Sequence, residues 1–118
     1  MRVLFIDDEQ DFLSLMQNRL EKRGFTIFTA PSGSEALAIL DREPLDAVVL
    51  DMKMAGMDGI ETLREIKSRQ ADLPVLILSG HASPDVAMTS IENGAVDYLL
   101  KPAPLNVLIE HLRDMVRP

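Results

Sequence analysis

Val3-Leu4-Phe5-Ile6 runs without a polar residue and stops at Asp7-Asp8-Glu9. An unbroken apolar run of that length marks a strand covered on both faces. Helical spacing takes over at once: Phe12, Leu15, Met16 and Leu20 predict a helix over 10–23, with Gly24 as its terminator. The same exchange recurs along the chain. Residues 25–29 alternate apolar and polar, which suits a strand near a sheet edge. Ser32 and Glu35 read as a capping box ahead of Ala36, Leu37 and Leu40, and Asp58 with Glu61 as a second one ahead of Leu63 and Ile66. Between them Ala47-Val48-Val49-Leu50 is a third strand. Pro74 stands acceptably before the fourth, Val75-Leu76-Ile77-Leu78. Ser83-Pro84 opens a helix that Gly94 closes, 96–100 is a fifth strand, and Leu105, Leu108, Ile109, Leu112 and Met115 mark a last helix. Strict alternation of five strands with five helices implies an α/β fold, its parallel sheet carrying helices on both faces. At 118 residues the chain reads as one domain, 1–118.

Composition narrows the function. With no cysteine, disulfides and thiolate metal sites are excluded. A net charge of −7 repels nucleic acid phosphate, and 4% aromatic residues make a poor stacking platform, so direct nucleic acid binding is not expected. No apolar run reaches the length of a membrane span or fits a secretory signal, so no membrane role and a cytoplasmic location are expected.

In an open α/β sheet, sites form outside the carboxyl ends of the strands. There the chain places Asp7, Asp8 and Glu9 after the first strand and Asp51 after the third. Ser79, Gly80 and His81 follow the fourth, and Lys101-Pro102 the fifth. The second ends at Thr29-Ala30-Pro31, with no ionisable group. Carboxylates gathered this way repel: two charges about 4 Å apart cost roughly 4 kcal/mol at an effective dielectric of 20. Such acids either raise their pKa or bind a cation, and hard oxygen donors without imidazole or thiolate favour Mg²⁺. A carboxylate beside a cation, a lysine ammonium and a hydroxyl suits phosphoryl transfer.

The chain resembles the receiver domains of bacterial two-component response regulators over essentially its whole length. The resemblance rests on Asp7-Asp8, on DMKMAGMDG over 51–59, on LILSG over 76–80 and on GAVDYLLKP over 94–102. It implies a flavodoxin-like sheet of order 2-1-3-4-5, which sets Asp7 and Asp8 beside Asp51. By the same resemblance Asp51 is the phosphoacceptor, with Mg²⁺ held by Asp51, by Asp8 directly, by Asp7 through water and by the Lys53 carbonyl. Ser79 supplies the hydroxyl that moves to the phosphoryl group, Lys101 pairs with that group, and Tyr98 turns inward as Ser79 moves. Lys101-Pro102 is a cis peptide. Lys53 and His81, each two residues past a site residue, tune the lifetime of the phosphoryl group. The implied partners are a sensor histidine kinase or histidine phosphotransfer protein and an output domain or target protein. A homodimer is also compatible. The face built from the fourth helix, fifth strand and fifth helix is the part that switches. Ala55 stands where proline is frequent, Ser79 where threonine is commoner, Gly80 where alanine is usual and Ala103 where phenylalanine is frequent; none of these removes a chemical group. The stretch 94–102 looks most like receivers of enhancer-binding activators.

Each residue also has a plainer reading. Asp7-Asp8 can simply complement a helix dipole, Ser79 can be a loop hydroxyl, Tyr98 a packing residue, Lys101 a surface lysine and His81 a solvated loop histidine. Three other functions compete with the switch. A docking module of the same fold would not need the full set Asp7, Asp8, Asp51, Ser79 and Lys101. An aspartyl-nucleophile phosphatase would place two acids two residues apart after the first strand, and a flavin protein would place hydroxyls and glycines there.

Overall fold

In the computed structural model, which describes residues 1–52, 58–80 and 84–116, strands and helices alternate. They are β1 (Arg2–Ile6), α1 (Gln10–Glu21), β2 (Thr26–Ala30), α2 (Gly33–Arg42), β3 (Ala47–Leu50), α3 (Gly59–Arg69), β4 (Val75–Ser79), α4 (Pro84–Glu92), β5 (Asp97–Leu100) and α5 (Leu105–Met115). All strand pairs are parallel, in the order β2-β1-β3-β4-β5. The 2-1-3-4-5 order and the α/β class are therefore as expected, and the alternating strand β2 lies at an edge.

The period-2 alternation of each strand divides the core into two layers. Val3, Phe5, Ala47, Val49, Leu76 and Leu78 pack with Leu13 and Leu20 of α1 and with Leu108 and Leu112 of α5. Leu4, Ile6, Val48, Leu50, Val75 and Ile77 face the other way, onto Leu37 and Leu40 of α2 and Leu63 and Ile66 of α3. Two filled faces explain why β1, β3 and β4 read as unbroken apolar runs. No helix among the described residues is long and apolar enough to cross a membrane.

Several boundaries differ from the sequence reading: β1 begins at Arg2 rather than residue 3, β4 runs to Ser79 rather than 78, β5 begins at Asp97 rather than 96, and the turn after α1 moves two more. The first helix ends at Glu21 rather than residue 23, because the amides of Arg23 and Gly24 reach back only three residues, to Leu20 and Glu21. That tightening leads into Gly24 at φ +89°, a conformation that suits glycine. Phe25 donates to the Leu20 carbonyl and so belongs to this exit turn, which moves β2 one residue along.

In both capping boxes the N-cap side chain accepts the expected hydrogen bond. Ser32 Oγ accepts from the Glu35 amide at 3.3 Å and Asp58 Oδ1 from the Glu61 amide at 2.8 Å. Asp58→Ala is expected to cost about 1 kcal/mol of stability. The check is a denaturant midpoint that falls while the slope stays constant; an unchanged midpoint would deny the cap its role. Ser83, expected to cap α4, lies outside the described residues.

Candidate functional site

Register builds the site. Ile6 pairs with Leu50, so the next residues, Asp7 and Asp51, leave adjacent strands side by side. The Asp51 amide donates to the Ile6 carbonyl at 2.9 Å, and the Asp7 amide to that of Ala30 at 3.1 Å. These bonds extend the ladder one residue past each strand and fix both backbones. Asp7 and Asp51 are buried, 2% and 5% exposed, and Asp8 is exposed at the mouth. One carboxylate oxygen from each of the three lies within 4.8 Å of the others.

β5 brings the cation. The Lys101 amide donates to the Ser79 carbonyl at 2.9 Å, and the Lys101-Pro102 bond is cis. The ammonium lies 2.5 Å from Asp7 Oδ2, 3.1 Å from Glu9 Oε1 and 3.9 Å from Asp51 Oδ2. It also sits 4.3 Å from the ring centroid of Phe12, within cation–π range. Glu9 and Phe12 complete the Lys101 pocket and were not singled out from the sequence. Glu9 read as the tail of an acidic run and Phe12 as an ordinary core position of α1.

The electrostatics follow from burial. Burial pushes the Asp7 carboxyl up, against the lowering effects of the Lys101 hydrogen bond and the Glu9 amide, and the net shift is upward. For Lys101, burial pulls downward, but the hydrogen bonds to Asp7 and Glu9 and the charges of Asp7 and Asp51 outweigh it, so its pKa is raised. Tyr98 is raised by burial and by the charge of Asp51, partly offset by a hydrogen bond with the side chain of Ser79. Ser79, fully buried at the end of β4, thus meets Tyr98 of β5.

The structure brings together Asp7, Asp8, Asp51 and Lys101 at one place, and Ser79 with Tyr98 next to it. Lys53 and His81 lie outside the described residues. A cavity of about 560 Å³ at the opposite end of the sheet is lined by Asp46 and Asp72 among others, but has no lysine or hydroxyl side chain beside them. The chemistry therefore concentrates at the carboxyl ends of the strands. Three hard oxygen donors converging on one point fit a divalent metal ion.

The family model described as "Response regulator receiver domain" matches residues 3–113. Among curated relatives, transcriptional regulatory protein GlrR of Escherichia coli K12 is 36% identical over 112 residues, covering 95% of this chain and 25% of its own length. Transcriptional regulatory protein PrrA of Mycobacterium tuberculosis is 36% identical over 116 residues, covering 98% of this chain and 50% of its own length. The chain thus spans between a quarter and a half of the curated relatives it matches. Among solved structures, the BeF3-activated N-terminal receiver domain of Klebsiella pneumoniae RstA superposes with a TM-score of 0.93 at 30% identity, covering 100% of both chains. With the 2-1-3-4-5 sheet, the acids and the lysine all in register, the chain belongs to the response regulator receiver domains of two-component systems.

Proposed function

We propose that the chain is a cytoplasmic phospho-switch in which Asp51 takes a phosphoryl group from a histidine kinase or histidine phosphotransfer protein. The observation that carries this is the placement of Asp51, buried at the end of β3, with the Asp7 and Asp8 oxygens within 4.8 Å and the Lys101 ammonium at 3.9 Å.

The reaction is an in-line displacement. A carboxylate oxygen of Asp51 forms the O–P bond as the P–N bond of the donor phosphohistidine breaks, and the leaving imidazole takes a proton. Bound Mg²⁺ supplies charge compensation on the phosphoryl oxygens, and Asp8, Asp7, Asp51 and the Lys53 carbonyl are the groups that would hold it. Lys101 shifts from Glu9 toward the new anion. The Ser79 hydroxyl donates to a phosphoryl oxygen and in doing so changes its contact with Tyr98. Hydrolysis, with water attacking phosphorus and regenerating the carboxylate, resets the switch, and side chains at Lys53 and His81 set its rate. Carrying the fold from 1:99 to 99:1 needs about 5.5 kcal/mol of differential stabilisation. A lysine contact, a metal ligand and a new hydrogen bond are of that order. The readout face is α4, β5 and α5, through which an output domain, a target protein or a second copy is engaged. Met88 is 62% exposed, Ile91 47%, Val96 50% and Leu100 49%, which leaves apolar surface there for a partner.

The test is intact mass after incubation with acetyl phosphate, with and without Mg²⁺, beside Asp51→Asn. A Mg²⁺-dependent phosphoryl adduct on the wild type, absent in the variant, is expected. If neither acetyl phosphate nor phosphorylated histidine kinases yield an adduct, the docking-module reading takes its place.

A further inference from the structure

The Lys101 ammonium lies closer to Asp7 and Glu9 than to Asp51. It has three N–H donors. Two carboxylates, Asp7 at 2.5 Å and Glu9 at 3.1 Å, lie within hydrogen-bond reach, and Asp51 at 3.9 Å does not. The Phe12 ring, 4.3 Å from the ammonium, adds attraction on that same β1–α1 side. Asp7 is buried beside Asp51, and its bond to Lys101 is compatible with the cation also reaching a group on Asp51. Glu9 differs. Its side chain is 65% exposed, it leaves the outer rim of the pocket, and nothing in the placement of Asp7, Asp8 and Asp51 requires a fourth acid there.

We propose that Glu9 is a positioning residue that competes with the Asp51-bound phosphoryl group for Lys101. It keeps the lysine parked over Phe12 in the unphosphorylated protein and thereby lowers the occupancy of the phosphorylated state at a given donor concentration. This rests on Asp51 being the acceptor. An ion pair with one exposed partner contributes modestly, so releasing it strengthens anion capture by about two- to fivefold.

The experiment is titration of the intact protein with beryllofluoride, a stand-in for the phosphoryl group, at saturating Mg²⁺ and followed by ¹⁹F NMR. Glu9→Gln, Glu9→Asp and Asp11→Asn are compared with wild type, and thermal unfolding checks that each is folded. Asp11 is an exposed acid on the first turn of α1 and reports the general effect of one lost charge. Glu9→Gln is expected to bind two- to fivefold more tightly. Glu9→Asp keeps the charge but draws the carboxylate back by one methylene, and is expected to show at least half of that gain. Asp11→Asn is expected to match wild type. If Glu9→Asp behaves as wild type, or Asp11→Asn gains as much as Glu9→Gln, the effect is charge alone and the contact has no role. Unchanged binding in Glu9→Gln also overturns the proposal while leaving Asp51 as acceptor intact. A wild type that binds no beryllofluoride fails the underlying function instead.

Discussion

Lys101→Met is expected to abolish most of the phosphoryl adduct and to cost about 2–3 kcal/mol of stability at neutral pH in metal-free buffer. The size follows from what is left behind. Asp7 is 2% exposed and faces Asp51, and Lys101 supplies both a hydrogen bond and an opposite charge to it. The figure lies at or below the bottom of the roughly 3–5 kcal/mol range for a broken buried pair because Lys101 remains partly open to water. Asp7 already sits above the usual carboxylate range, since burial outweighs its hydrogen bonds, and losing Lys101 removes two of the effects that restrain it. A carboxyl whose pKa is higher in the folded than in the unfolded state destabilises the fold when ionised. Stability is lost as pH rises from the ordinary carboxylate value through the raised one, and is regained on the way down. The deficit of Lys101→Met should therefore shrink on acidification. Adding Asp7→Asn should recover much of it at neutral pH, since the uncompensated charge is then gone. Thermal unfolding of the single and double variants at neutral and mildly acidic pH measures both effects. A deficit that widens in acid, or a double variant no more stable than the single, would contradict the account.

Gly59→Ala is expected to lower stability by about 2 kcal/mol, or roughly 8 °C in Tm. By helix propensity the sign would be the opposite, because alanine is favoured over glycine by about 1 kcal/mol in a helix. Packing decides. A Cβ at Gly59 would stand 2.5 Å from the Met52 Cα and 2.8 Å from its carbonyl oxygen, atoms that no side-chain rotation can move aside. Met52 cannot simply yield, because it is buried and its sulfur lies 3.4 Å from the Ser90 hydroxyl of α4, which itself bonds the Val86 carbonyl. The displaced backbone is the one directly following Asp51, so adduct formation should fall with stability. Gly80→Ala is the control: an added Cβ there meets nothing within 4 Å, and its Tm should stay near wild type. A Gly59→Ala protein more stable than wild type would show that the β3 exit relaxes freely.

The sheet was legible because β1, β3 and β4 are buried on both faces, and Arg2 and Ser79 stand at strand ends where they do not interrupt the apolar run. Their carboxyl ends pointed to Asp7, Asp51 and Ser79 because a polar residue that breaks an apolar run stands out, although all three stay buried. The neighbour order came from the family resemblance, since alternation alone does not say which strands pair. What stayed hidden was the pocket around Lys101. Glu9 and Asp7 are 92 and 94 residues from it in sequence, and only the fold brings the end of β5 to the loop between β1 and α1. The contact of Tyr98 with Ser79 depends likewise on β4 and β5 lying side by side, with Ile77 opposite Tyr98. Helix α1 was read two residues too long because its periodicity continues through a turn whose amides bond only three residues back.

Both margins of the sheet are built to resist fibril-like stacking. An open parallel sheet ends in two strands whose outward amides and carbonyls can template pairing with another chain. Here one margin is β2, five residues long and followed at once by Pro31. The other is β5, four residues long, opened by the charged Asp97 and followed by Lys101 and Pro102. Short length, flanking charge and a residue without an amide proton are each deterrents to strand addition. Colloidal stability at high concentration should therefore be limited by the apolar side chains of α4 and β5 rather than by exposed backbone. Charged substitutions at Met88 or Ile91 are the place to improve it.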